Sequence, residues 1–192
     1  MRPDSSQSGF DADLLEALTA CSELINTGRS DAGEGIRDLA DVQSFADRYA
    51  FRGRAATPRD VARLRAYRAR LDAVAVACEA GGQEAAIAML NDLLAETGAV
   101  PQIVAHDGRG PHVHVSRPDD PMADRMAAHL AMGLGQLVVA GESERVRSCA
   151  SPTCRDVFIY LSRNRSRRYC DSRTCGNRLH VAAYRARRAA AG

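Results

Sequence analysis

Four cysteines near the end of this chain carry the spacing of a metal site. Cys149 and Cys154 form one C-x4-C pair, Cys170 and Cys175 form a second, and fifteen residues separate the pairs. A structural zinc ion needs four thiolate or imidazole donors in a tetrahedron. Two close pairs meet that demand, because each comes from one tight loop and the chain between them turns back. These loops are wider than the commonest two-residue knuckle but suit the same geometry, and Ala150-Ser151-Pro152-Thr153 has the small residues and proline of a turn. His180 is the other donor nearby, but four thiolates already close the shell and leave no open position for catalysis. One structural zinc ion on Cys149, Cys154, Cys170 and Cys175 is therefore expected. The alternatives are two disulfides or unrelated core cysteines. The opening "MRPDSSQSGFDAD" lacks the apolar stretch of a secretory signal, which points to a cytoplasmic, reducing setting and against disulfides. A segment as small and as poor in apolar residues as 145–192 also needs a staple, and zinc can supply on the order of 10 kcal/mol.

The same segment is basic. Residues 1–144 hold 14 arginines and 22 acids, a net of −8, while residues 145–192 hold 12 arginines and two acids, Asp156 and Asp171, a net of +10. Such asymmetry suggests an anionic partner for the basic end. The chain contains no lysine, which fits an arginine- and alanine-favouring genome, so arginine over lysine says nothing about bidentate contacts. Arg163, Arg165, Arg167 and Arg168 belong to the stretch between the cysteine pairs, and Arg178, Arg185, Arg187 and Arg188 to the stretch after them. Zn2+ with four thiolates carries a formal charge of about −2, which two or three arginines would balance. Twelve exceed that role, so nucleic acid is the expected partner, with phosphate contacts from these side chains. Gly176 permits close backbone approach to the metal loop. Asn177 suits a cap or a bond to a cysteine sulfur, and Arg178 either pairs with Asp171 or reaches a phosphate.

The elements that must position these residues can be read from periodicity. "RDVFIYL" (155–161) is β-branched and aromatic, with Val157, Ile159 and Leu161 on one face and Phe158 and Tyr160 on the other. "SRNRS" then serves as a turn and "RRYC" as the return. After Cys175, Leu179, Ala182, Ala183, Ala186 and Ala190 form one helical stripe. Knuckle, β-hairpin and helix together make a small treble-clef-like module over 145–192. Ahead of it, residues 10–27, 38–51, 58–80, 83–98 and 122–141 carry helical spacing. Thr57-Pro58 is a helix-start signal. Residues 100–116 alternate around Asp107-Gly108-Arg109-Gly110 and predict a β-hairpin. The fold class is α+β and mainly helical, with a helical body at 10–141 and the zinc module behind it.

"CASPTCRDVFIYLSRNRSRRYCDSRTCGNRLHVAAYRARR" resembles the CGNR zinc finger, named for the tetrapeptide standing here as Cys175-Gly176-Asn177-Arg178. The four cysteines, the "SRN…SRR" stretch and the Y-R-A-R-R ending all match. In that family the finger usually follows an ABATE domain, the body of proteins described as stress-induced transcription regulators. Residues 10–141 are similar to it through "ELINT" (23–27), "DVQSFADRY" (41–49) and "PHVHV" (111–115). Two positions depart from the usual pattern: Glu23-Leu24 replaces Asp-Phe or Asp-Leu, and Asn164-Arg165 replaces Asn-Gly. The resemblance implies a bacterial, zinc-dependent, DNA-binding transcription regulator linked to stress response.

Other constellations are weaker. His112 and His114 alternate on one face of a strand and could be half a metal site, but no companion has recognisable spacing, so a structural role is favoured. His106 and His129 carry no pattern. Cys21 and Cys78 sit on apolar helix faces and read as core. No phosphate loop, nucleophile elbow or zinc-protease helix occurs, so no enzyme is expected, and no apolar run is long enough for a membrane span. Three readings follow: a DNA-binding regulator acting as a homodimer on two half-sites, an RNA-binding protein using the same basic surface, or a protein-interaction module with purely structural zinc.

Overall fold

A computed structural model describes residues 11–29, 33–105, 110–161, 166–177, 181, 184, 185, 187 and 188. Five helices build the body: α1 (Ala12–Arg29), α2 (Leu39–Arg48), α3 (Pro58–Glu79), α4 (Gln83–Glu96) and α5 (Met122–Val139). Between α4 and α5 lies the antiparallel pair β1 (Gln102–Val104) and β2 (His112–His114). These are the expected five helices and hairpin, displaced by a few residues at their ends. The helices form where apolar residues recur every three or four positions, because that spacing makes one buried stripe. On α1 the stripe is Leu15, Leu18, Cys21, Leu24 and Ile25, and on α3 it is Leu64, Tyr67, Leu71, Val74 and Cys78. Cys21 and Cys78 are both core residues, and burial pushes both thiols up.

Helix α5 is the centre. It is buried on most of its circumference and packs against α1, α3 and α4. Gly133 permits a close approach to α1, since a Cβ there would stand 3.0 Å from the Cβ of Ala17. Asp60 ties two helix starts together. Its carboxylate accepts from the Thr57 amide and hydroxyl at 2.7 Å and from the Ala123 amide at 2.8 Å. Burial alone would raise its pKa, but these bonds outweigh it and hold the carboxyl below its ordinary range. Asp124 accepts from the Tyr67 hydroxyl at 2.8 Å and pairs with Arg63 at 2.5 Å. Every buried side-chain polar atom among the described residues has such a partner.

A second antiparallel pair, β3 (Val146–Ser148) and β4 (Val157–Ile159), lies directly on the helical body. Val146, Val157 and Ile159 join the same apolar core as the helices. Here the structure departs from the sequence reading. The sequence predicts that β4 pairs with the chain returning through "RRYC" (167–170), yet its described partner is β3, in register Val146↔Ile159, Arg147↔Phe158 and Ser148↔Val157. The hairpin therefore encloses the first cysteine pair. Residues 162–165 of the expected turn at 162–166 and the stripe of Leu179, Ala182, Ala183, Ala186 and Ala190 lie outside the described residues, as do His106 and His180. Residues 177, 181, 184, 185, 187 and 188 have helical backbone.

Candidate metal centre and nucleic-acid interface

The β3–β4 hairpin positions the first two thiols. Cys149 follows β3, and its amide donates to the Asp156 carbonyl at 2.8 Å, while the Cys154 amide closes the loop onto the Ser151 carbonyl at 3.1 Å. The second pair is brought to the first by the Ala150 amide, which donates to the Arg168 carbonyl at 2.9 Å. Beyond Cys170 the chain makes one wide helical turn, Ser172–Gly176, closed by the Gly176 amide on the Asp171 carbonyl at 3.0 Å. That i→i−5 bond swings Cys175 back towards the other three sulfurs.

The four Sγ atoms lie within 4.8 Å of one another, the one group of three or more His, Cys, Asp or Glu donors among the described residues that does so. Cys170 Sγ stands 3.6 Å from Cys154 Sγ and 3.7 Å from Cys175 Sγ. Tetrahedral zinc with Zn–S bonds of about 2.3 Å requires sulfurs about 3.8 Å apart. The donor set and its spacing therefore fit zinc. Cys149 and Cys175 are buried, Cys154 and Cys170 partly exposed. Burial pushes the Cys154 thiol up to about 12 and raises Cys170 further. Burial acts the same way on Cys149, but bonds from the Cys170 and Ser151 amides prevail and lower it. Four sulfurs this close resist ionising together unless a dication takes the protons' place. The cluster is the site of one structural zinc ion, and its shell closes with the four thiolates.

The sequence reading missed three residues around the site. Asp156 lies with a carboxylate oxygen 3.3 Å from Cys170 Sγ. Asn26, on α1 inside "ELINT", donates from Nδ2 to the Val157 carbonyl and accepts from the Val157 amide, both at 2.8 Å. An amide side chain next to the core-facing Ile25 was the available signal. Arg145 was counted with the basic tail, but it is buried, donating to Glu142 at 2.9 Å and to the Tyr160 carbonyl at 3.2 Å. It holds the hairpin rather than facing a partner. A cavity of about 570 Å³ separates α1 from the metal loops, with Ser22, Asn26, Asp156 and Cys170 in its wall.

The proposed contact arginines fall into two groups. Arg167 and Arg168 are exposed on the stretch leading to Cys170. Arg167 donates to the Tyr169 carbonyl at 2.8 Å and its guanidinium lies 5.0 Å from the centre of the Phe158 ring. Phe158 itself meets Tyr160 edge-on at 5.2 Å, so this face of β4 is an aromatic shelf under a cation. Arg185, Arg187 and Arg188 are exposed on the final helical stretch, with Arg188 5.9 Å from the Tyr184 ring centre. Gly176 is buried in the metal loop and Asn177 is exposed after it. Arg163, Arg165 and Arg178 lie outside the described residues.

A family model described as "Putative stress-induced transcription regulator", ABATE, matches residues 18–141, well over half of the chain. The chain belongs to the ABATE family. A second model, the CGNR zinc finger, matches residues 145–188 and covers all four cysteines. The chain thus carries the ABATE body and the CGNR finger in that order, and the finger of this ABATE protein is where its metal centre lies. A comparison with curated proteins finds no match. Among the described residues, no helix of this ABATE protein is long and apolar enough to cross a membrane.

Proposed function

We propose that this ABATE protein is a zinc-dependent DNA-binding transcription regulator of the bacterial cytoplasm, acting in a stress response. The observation that carries the reading is the exposure of Arg167, Arg168, Arg185, Arg187 and Arg188 on a metal-held module behind an acidic body. Zinc supplies the module's rigidity. The protein's own part is to hold guanidinium groups at fixed positions, where each can neutralise a phosphate and release a counterion. The acidic body repels the polymer elsewhere, so binding is confined to the finger. One finger offers few contacts, and a homodimer on two half-sites supplies the rest. The finger's part is binding, since its four-thiolate shell has no open coordination position for catalysis.

The test is a mobility shift of the zinc-loaded protein with duplex DNA, with RNA and with chelator present, each over a range of salt. Retention of duplex DNA that falls steeply with salt and disappears on chelation supports the reading. Preference for single-stranded or structured RNA replaces it with the RNA reading. Binding of neither polymer leaves a protein-docking role for the finger.

A further inference from the structure

The body holds a second set of donors that the zinc finger does not use. In the β1–β2 register His114 stands opposite Gln102 and His112 opposite Val104, so both imidazoles leave the same face of the hairpin. Their Nε2 atoms are 3.1 Å apart. Two nitrogens bound to one metal at about 2.0–2.1 Å are separated by about 2.9 Å at a right angle and about 3.3 Å at a tetrahedral angle. The observed separation falls between the two. The tautomer is also arranged. His112 Nδ1 lies 3.0 Å from the Gly110 carbonyl, which can only accept, so Nδ1 carries the proton and Nε2 presents its lone pair. This is the second-neighbour hydrogen bond that orients metal-ligating histidines.

The pair faces a cavity of about 440 Å³. Its far wall brings Asp13 and Glu16 from α1 and His129 from α5. His129 is partly buried beside Phe51, edge to face at 5.5 Å, and loss of water around it lowers it to about 4, so its ring is neutral. Arg125 fixes the rim by donating to the carbonyls of Arg52, Arg54 and Pro118. Asp13, Glu16 and His129 share the cavity with the pair without joining it as a third close donor. They come from helices roughly a hundred residues earlier and fifteen later, where no spacing rule reaches.

We propose that His112 and His114 chelate a divalent transition-metal ion of the Zn2+ or Ni2+ class through their Nε2 atoms. Without the ion, the two rings share one N–H···N hydrogen bond. When it binds, the bridging proton moves to His114 Nδ1, both Nε2 lone pairs turn to the ion, and no net charge or electron is exchanged with the protein. The site is open, unlike the four-cysteine centre. Water or a small ligand within the cavity completes the coordination, and Asp13, Glu16 and His129 supply hydrogen-bonding partners for it. This inference is independent of nucleic-acid binding.

The full-length protein is first loaded with one equivalent of zinc to fill the four-cysteine site, then titrated with Ni2+ by calorimetry while retained zinc is assayed. One further equivalent is expected to bind without displacing zinc. His112→Gln and His114→Gln should each abolish that heat while keeping zinc content and helical circular dichroism. In the wild type, Ni2+ should broaden the ring resonances of His112 and His114 before those of the other histidines, a readout that does not depend on a variant folding. No Ni2+ binding at millimolar metal would overturn the proposal. So would binding that survives both substitutions, or broadening that begins at other histidines.

Discussion

Asn26 on α1 and Val157 on β4 exchange two hydrogen bonds of 2.8 Å, the amide nitrogen donating to the carbonyl and the amide oxygen accepting from the N–H. One side chain thereby pairs with a strand as a neighbouring strand would. Around it, Arg29 donates to the Arg155 carbonyl at 2.8 Å, and Glu79 on α3 accepts from the Ser148 amide and hydroxyl at 2.8 and 2.6 Å. The finger's hairpin is fastened to two helices of the body by polar contacts as well as by its apolar side chains.

Asn26→Ala should leave the Val157 amide and carbonyl without partners at that edge. Removing two bonds whose partners stay half-buried costs about 1–3 kcal/mol. Chemical denaturation should report that loss as a lower midpoint. Zinc content should be unchanged, because no metal ligand is touched. A variant as stable as the wild type would show that water replaces the amide at no cost.

Cys175→Ser removes a buried ligand from a closed shell. Zinc content should fall from one equivalent to near zero, and the Ser172–Gly176 turn should lose its order. The helical body should persist, since its stripes on α1, α3 and α5 are complete without the metal. Metal analysis with circular dichroism checks both halves. Retained zinc would remove Cys175 from the ligand set.

On the DNA reading, the exposed arginines should each contribute through salt-dependent contacts. Arg167→Ala and Arg187→Ala should each reduce the slope of log affinity against log salt by about one. Arg145→Ala should instead lower thermal stability with little effect on that slope, because its guanidinium is buried on Glu142 and Tyr160. Equal slopes for all three variants would sink the assignment of Arg167 and Arg187 as contacts.

Glu34 gives a pH signature. Its carboxylate accepts from Arg68 Nη1 and Nη2 at 2.5 and 2.6 Å and from the Ile36 amide at 2.7 Å. The Arg68 bond prevails over the opposing effect of burial and holds the carboxyl at about 2, below its ordinary 4.5. A lowered carboxylate stabilises the fold fully above its unfolded value and ceases to do so as pH falls through its folded value. The gap in unfolding free energy between wild type and Glu34→Gln should therefore be present at pH 6 and close on approaching pH 2. Partial exposure of the pair keeps the gap below about 1 kcal/mol. A gap that is constant with pH would contradict the assignment.

The four cysteines and the helical stripes were legible because each rests on local spacing, which sequence displays directly. Strand β3 was not, since "VRS" is three residues long and has no periodicity to read. Its pairing with β4 depends on the cysteine loop between them and on the apolar surface of α1 and α3. All three β4 residues are buried, although their alternation predicts two distinct faces. The reason is that the body covers Val157 and Ile159, while Tyr160 and Arg167 cover Phe158. The destination of an arginine was equally invisible: Arg145 and Arg147 are two positions apart, yet one is buried and the other exposed.

Fastening the hairpin to α1 and α3 bears on how the protein can be cut. A fragment starting after Gly141 would bring Val146, Val157 and Ile159 into water and present the Val157 edge with its backbone groups open. An exposed edge with apolar residues is a template for strand addition by another chain. Such a fragment should self-associate even with its metal bound, and a finger grafted onto a foreign carrier would need a substitute for Asn26 there.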